Sequence, residues 1–224
     1  MSQDKQETTP TLSARDRVYQ YLMKEMHRGT LLPGSSIDLK RIKETLNVSS
    51  SPLRDALIKL ESEGFVTIHP RSRVVVNTLE MEDFPFLYNV IGNIEYTLIV
   101  EALDSYTPDV IARMRELNVK MEQAIKDYNM SLYDEYHYAF HDIFLQQCDN
   151  LFARRILTPI KHRLWDFPRR NFLHEWYLKA LDEHEAIIRA IEAKDVSLLS
   201  TALKDIHWGY ELCKNSIKVE YNLE

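Results

Sequence analysis

Residues 48 to 66 read VSSSPLRDALIKLESEGFV, so three serines and a proline stand directly before a helical apolar stripe and a Gly-Phe-Val exit follows it. At about 100° per residue, Leu53, Ala56, Leu57 and Leu60 share one face of this helix, and Ser51, Arg54, Asp55 and Ile58 share the other. Ser51 suits the N-cap and Pro52 the first helical position, where its missing N–H costs nothing. After Gly64 the period changes to two, and FVTIH and RVVVN read as two strands joined through PRS. A short helix that turns hydroxyls and a guanidinium away from its apolar face, then feeds a β-ribbon, restricts this part of the chain to few folds.

The preceding residues complete the set. Ser13, with Asp16 three residues on, caps a first helix carrying Val18, Tyr21, Leu22 and Met26, which Gly29 ends. Beyond the turn-forming LLPGSS, Asp38 caps a second helix with Leu39, Ile42 and Leu46 on one side, and Asn47 suits the left-handed turn that closes it. Two short helices joined by a tight turn match a helix-turn-helix, whose second helix enters the major groove of duplex DNA. At its amino end, backbone N–H groups and the hydroxyls of Ser49, Ser50 and Ser51 suit phosphates, and Arg54 suits a phosphate or guanine O6/N7. The ribbon would then be a wing, with His69, Arg71 and Arg73 on or beside its tip, placed to reach a phosphate or the minor groove. Taken singly, these serines are also good caps and Arg54 an ordinary solvated residue; the order of three helices and a wing is harder to explain that way.

Net charge at first opposes a nucleic-acid partner, because the whole chain of 224 residues carries −6. The sum hides an asymmetry: residues 1 to 78 hold 12 Lys and Arg against 9 Asp and Glu, whereas residues 79 to 224 hold 16 against 25. Two domains with different jobs are expected, divided at 78/79. The polar start MSQDKQETTPTLSARD and the lack of any run of eighteen apolar residues point to a cytoplasmic protein without a membrane span. Cys148 and Cys213 form no CxxC pair, which fits a reducing compartment.

The run from Pro33 to Val76 resembles the winged-helix domain of GntR-type bacterial transcription regulators. The resemblance rests on Pro33-Gly34, the Val48-Ser49 turn, the PLRDAL helix from Pro52 to Leu57 and the LESEGFV exit from Leu60 to Val66. It implies a DNA-contacting Arg54 and a backbone contact from Lys40. Two positions depart from the family pattern: Ser50 stands where an arginine is common, and Ser72 where the wing has a glycine. Operator sequence therefore does not carry over.

From residue 80 onward the chain divides into about six amphipathic segments, near 83–104, 108–128, 131–147, 149–168, 170–193 and 195–219. Thr107-Pro108 reads as an N-cap followed by a first-turn proline, SLYD at 131–134 as a capping box, Pro159 as a kink and Pro168 as a stop. The fold class is mainly α: a winged helix-turn-helix with a two-stranded β-wing, then an all-α bundle.

Within the bundle, His137 and His141 are one turn apart on an apolar face with Phe140 and Phe144. His184 shares a stripe with Leu181, Ile188 and Ile191, and His207 one with Leu199, Leu203, Ile206 and Tyr210. A core-facing imidazole needs partners for both nitrogens. Two solutions fit the spacing: hydrogen-bonded core histidines, or a shared divalent ion, zinc or nickel, for which an i,i+4 pair is a usual donor.

Residues 84 to 210 resemble the FCD effector domain of the FadR subgroup of GntR regulators. HYAFHDIFLQQCDN matches with His141 and Asn150, DEHEAIIRAIEAKD with His184, and DIHW with His207. The resemblance implies a divalent metal beside an effector cavity, held by His137, His141, His184 and His207, with His137 in place of the usual aspartate. Four neutral ligands leave the ion's charge uncompensated, which favours an anionic effector, an organic acid. Against that, Ile91 stands where many such domains carry a carboxylate-clamping arginine four residues before a glutamate like Glu95. Tyr88, Asn93, Tyr136, Tyr210 and Trp208 are candidates to line the cavity. The expected protein is a homodimeric, ligand-responsive repressor of double-stranded operator DNA. Its rival is an enzyme that activates water on the histidine-bound metal.

Overall fold

A computed structural model describes residues 12–165, 167 and 169–223, with the Ser72 side chain outside the description. Pro168, the expected stop, lies outside the described residues. The chain divides into two compact units, Met1–Thr78 and Leu79–Glu224.

The first unit holds α1 (Ala14–His27), α2 (Leu39–Leu46), α3 (Ser50–Ser62), β1 (Val66–His69) and β2 (Arg73–Val76). Its caps are those the side chains favour: Ser13 accepts from the Asp16 N–H at 3.1 Å, and Asp38 Oδ1 accepts from the Lys40 and Arg41 N–H groups at 3.0 Å each. Asn47 closes α2 at φ 49°, ψ 56°, leaving only two further residues before α3. The helix starts earlier than expected, with Ser49 and not Ser51 at the N-cap, so Pro52 falls in its third position. Proline is tolerated there because none of the first four N–H groups of a helix has an intrahelical partner.

Leu53, Ala56, Leu57 and Leu60 are all buried, against Val18, Leu22 and Met26 of α1, Ile42 of α2 and Val66, Val74 and Val76 of the ribbon. Each leucine contributes about 2 kcal/mol by leaving water, which fixes α3 to the unit by one face and leaves the other outward. The strands pair antiparallel, from Val66 opposite Val76 to His69 opposite Arg73. Their turn puts Arg71 at φ 67°, ψ 30°, a left-handed conformation costing an ordinary residue about 1 kcal/mol.

Among its described residues the second unit forms helices and no strand: α4 (Asp83–Glu101), α5 (Pro108–Lys126), α6 (Met130–Gln147), α7 (Leu151–Trp165), α8 (His174–Glu192), α9 (Val196–Ser200) and α10 (Tyr210–Tyr221). Thr107 caps α5 with Pro108 at its start. The cap of α6 is Asn129, whose Oδ1 accepts from the Leu132 N–H at 3.2 Å, in place of the capping box expected at Ser131. Pro159 lies inside α7, which continues through it.

The expected sixth segment is not one helix. After α9 the chain widens into a π-helix, Thr201–His207, and turns at Trp208-Gly209 before α10. Gly209 is required there, since a Cβ would stand 2.2 Å from the Asp205 carbonyl oxygen. Among the described residues no helix is long and apolar enough to cross a membrane.

Candidate DNA-facing helix and metal centre

On the first unit, Ser49, Ser50, Ser51 and Arg54 are exposed at the amino end of α3. The Ser49 hydroxyl makes no capping bond. Lys40, on the first turn of α2, has an 85% exposed side chain. Lys43, which the sequence reading passed over, brings its Nζ to 3.5 Å from Ser50 Oγ and adds a cation to the same end. His69, Arg71 and Arg73 are exposed on the ribbon, where Arg73 Nε donates to Ser36 Oγ at 3.3 Å. The unit thus presents hydroxyls, N–H groups and cations where a phosphate backbone needs them.

In the second unit, α6 supplies His137 and His141, α8 supplies His184, and the π-helix supplies His207. One ring nitrogen from each lies within 4.8 Å of the others. His141 and His184 are fully buried. The outward nitrogens of three rings are spoken for: His141 Nδ1 faces both Glu95 oxygens at 3.0 Å, His207 Nδ1 faces Glu183 Oε2 at 3.0 Å, and His184 Nδ1 faces Asn118 Oδ1 at 3.2 Å. Asn118 is oriented by its own Nδ2, which donates to the Leu181 carbonyl at 2.9 Å, so its oxygen is what His184 meets.

Those partners favour one tautomer. A carboxylate or amide oxygen accepts only, so each Nδ1 carries the hydrogen and each Nε2 turns a lone pair inward. His184 Nε2 is buried without a partner, and the Nε2 atoms of His141 and His207 face each other at 3.3 Å. Two lone pairs at that distance repel unless a cation lies by them. Burial, then neighbouring imidazoles, holds His137, His141 and His184 well below the ordinary histidine pKa, so the rings are neutral and fit to ligate. The donor set, with its orphaned nitrogen, fits a divalent ion.

Glu95 is fully buried and also accepts from Trp208 Nε1 at 2.9 Å. Burial raises its carboxyl above the ordinary range, opposed by Lys161, whose Nζ lies 3.5 Å away. Beside the cluster, a cavity offers about 80 Å³ to the centres of water-sized molecules and is lined by His137 and His207, the aromatics Tyr88, Trp165, Trp176 and Trp208, and Arg169. That is room for several waters or a small organic molecule, since one water needs roughly 10–15 Å³ on such a measure. Arg169 is held by the Asp134 carboxylate and donates Nη1 to the Tyr177 hydroxyl at 3.2 Å.

The FCD domain family matches residues 87–207, more than half of the chain, and the gntR family of bacterial regulatory proteins matches residues 14–76. The chain belongs to the GntR family and carries an FCD domain. Its similarity to the transcriptional repressor GlaR of Escherichia coli K12 is 23% identity over 203 residues, covering 83% of this chain and 89% of that one. To the gluconate operon transcriptional repressor of Bacillus subtilis 168 it is 24% over 218 residues, covering 90% and 84%. The solved structure of E. coli McbR/YncC superposes with a TM-score of 0.73 at 19% identity, covering 92% of this chain and 99% of that one, a likeness of fold. This GntR regulator is a DNA-binding transcription factor and not an enzyme, which removes the water-activating alternative.

For a GntR regulator with an FCD domain, several expected details come out differently. Of the five residues expected to line the cavity, Tyr88 does so. Asn93 is exposed on α4, its amide donating to the Asn89 carbonyl at 2.8 Å; Tyr136 is half-buried, with Lys120 Nζ 5.8 Å from its ring centroid; Tyr210 packs edge-on against Tyr88, outside the lining. Trp208, the fifth candidate, lines it. Nor is the cluster free of compensating charge, because Glu95 and Glu183 stand directly behind two of the imidazoles. Ile91 is core, as its type dictates, but a guanidinium reaches the cavity from elsewhere, as Arg169.

Proposed function

We propose that this GntR regulator, of the FadR subgroup, is a homodimeric repressor whose grip on operator DNA is set by a small organic acid bound beside a histidine-held zinc or nickel ion. Residues 1–78 read DNA, through Arg54 and the serines of α3 in the major groove, Lys40 on the backbone, and His69, Arg71 and Arg73 on the wing. Residues 79–224 bind the effector and dimerise, and the protein works in the cytoplasm, where its operator is. Dimer symmetry sets the spacing of two half-sites. The effector shifts the dimer between arrangements only by its difference in affinity for them. The description of two relatives as transcriptional repressors supports repression over activation.

The observation that carries the effector half is the inward convergence of four imidazole nitrogens, three of the rings pinned from behind by Glu95, Asn118 and Glu183. His137, His141, His184 and His207 would hold the ion. When bound, it supplies a positive charge at the cavity wall, on which a carboxylate can rest. The test is metal content of the purified protein beside that of a His141→Ala/His184→Ala variant. A stoichiometric ion lost in the variant is expected, and unchanged content would remove the site, leaving a metal-free core. A thermal-shift screen of organic acids, with and without zinc or nickel, then reads the effector.

A further inference from the structure

The cavity beside the histidines is walled by rings. Seven of its lining residues are tyrosine or tryptophan, and all three tryptophans of the chain are among them: Trp165 ends α7, Trp176 lies in α8, and Trp208 follows the π-helix. The walls begin at the histidines themselves. Between ring centroids, Trp165 lies 4.8 Å from His137 and Trp208 lies 5.1 Å from His207. Tyr133 stacks on His137, 15° from parallel with centroids 5.5 Å apart. A molecule bound at the histidine side of the cavity therefore lays its next atoms among rings.

Several polar atoms of these walls are already taken. Trp208 Nε1 donates to Glu95 at 2.9 Å, the Tyr221 hydroxyl donates to the Leu164 carbonyl at 3.4 Å, and the Tyr177 hydroxyl donates to the Glu220 carboxylate. A polyhydroxylated molecule would bury hydroxyls short of partners and lose affinity for each. A flat apolar ring needs none, and it packs on other rings by face or edge. The charged side chains of the lining are paired as well, Arg169 with Asp134 and Lys179 with Glu183 at 3.5 Å. One carboxylate, at the histidines, is thus as much negative charge as the site calls for. Size agrees: as a sphere, the 80 Å³ or so open to the centres of water-sized molecules corresponds, once a water radius is added, to a free diameter of roughly 8 Å. That is about the span of one ring with its carboxyl group.

We infer that the effector is a small aromatic monocarboxylic acid of one ring, and that the ring lies against the tryptophans. This class of ligand rests on the reading of the cavity as the effector site.

The test is isothermal titration of full-length, zinc-loaded protein with benzoate, phenylacetate and 4-hydroxybenzoate, and with two polyhydroxylated acids, shikimate and gluconate. At least one aromatic acid should bind saturably, once per chain, and at least about tenfold more tightly than either polyhydroxylated acid. For the tightest, the ring-hydrogenated counterpart should bind about three- to tenfold more weakly and the carboxamide at least about tenfold more weakly. Trp176 is half-buried where Trp165 and Trp208 are buried, so Trp176→Leu should keep the parent's circular dichroism and metal content. This variant should bind the aromatic acid about three- to tenfold more weakly and the hydrogenated counterpart as before, and Trp176→Phe should recover the difference. Three results would overturn the aromatic class: none of the aromatic acids binds; the hydrogenated counterpart binds as well as the parent acid; or Trp176→Leu keeps full affinity. Tighter binding of shikimate or gluconate, lost in His141→Ala/His184→Ala, would also overturn it while leaving the effector site in place. Aromatic-acid binding that survives the histidine substitutions but weakens in Trp176→Leu would support the class and instead remove the ion from the effector reading.

Discussion

Arg54 is held outward because Leu53, Ala56 and Leu57 on either side of it are buried. Its replacement by alanine should cost about 1–3 kcal/mol on the specific operator if it makes a bidentate guanine contact. Titrating operator and random duplex side by side checks this: an equal loss on both would make Arg54 a phosphate contact. Glu95 poses the corresponding question in the helical unit. Glu95→Gln keeps the shape but removes the charge that orients His141, and metal affinity should fall about 10- to 100-fold. Competition against a chelator of known affinity measures it, and an unchanged affinity would show that the carboxylate only fills space. The two residues differ in how readable they were. Arg54 stands out from sequence because a guanidinium next to a proline-started apolar stripe has nothing to pack on. Glu95 offered the opposite signal, an acid with Ile91, Leu98 and Ile99 one turn away on each side, which marks a buried carboxylate in need of a partner. Lys161, between Leu157 and Leu164, gave the same signal. The acceptors behind the rings could not be paired with them from spacing, since Glu95, Asn118 and Glu183 come from three different helices.

Elements defined by local chemistry were readable, and those defined by tertiary demand were not. Ser13, Asp38 and Thr107 cap as their side chains dictate, and the wing follows from two period-two runs. The π-helix has no such signature. A straight 3.6-residue period through 195–219 groups Ile206 with Leu199 and Leu203, yet Ile206 is 37% exposed, while Ala202, Trp208 and Cys213 are buried. The wider turn shifts the buried face between Leu203 and Trp208, and that shift delivers His207 to the other three histidines. Its exit depends on Gly209. In Gly209→Ala the new Cβ meets backbone, which cannot swing aside as a side chain would, so the turn must open. The expected result is loss of bound metal together with destabilisation of about 2 kcal/mol or more, read by metal analysis and urea unfolding. Gly29→Ala is the control, since a Cβ there has nothing within 4 Å. Its left-handed backbone at φ 70° should cost only about 1 kcal/mol and leave the metal in place. Equal metal loss in both would detach the π-turn from the site.

On the scale of the whole molecule, the histidine cluster makes stability depend on acidity in a direction that can be worked out. His137, His141 and His184 have pKa values held well below the ordinary one in the folded chain, first by burial and then by one another. As the pH falls through about 6.5, the unfolded chain takes up protons on these residues while the folded chain does not, so acidification favours unfolding. Glu95 and Glu220 act the other way, because burial raises their carboxyls and the folded state binds those protons first. The unfolded histidines gain their protons between about pH 7 and pH 5.5, so the metal-free protein should lose stability across that range, with the two carboxyls offsetting part of the loss. Bound metal should steepen the loss, since protons compete for the same nitrogens and the stabilisation the ion contributes disappears as it leaves. Urea unfolding across this range, on metal-free and metal-loaded protein, separates the two contributions. Stability that holds level on acidification in the metal-free form would mean that the two carboxyls offset the three imidazoles in full.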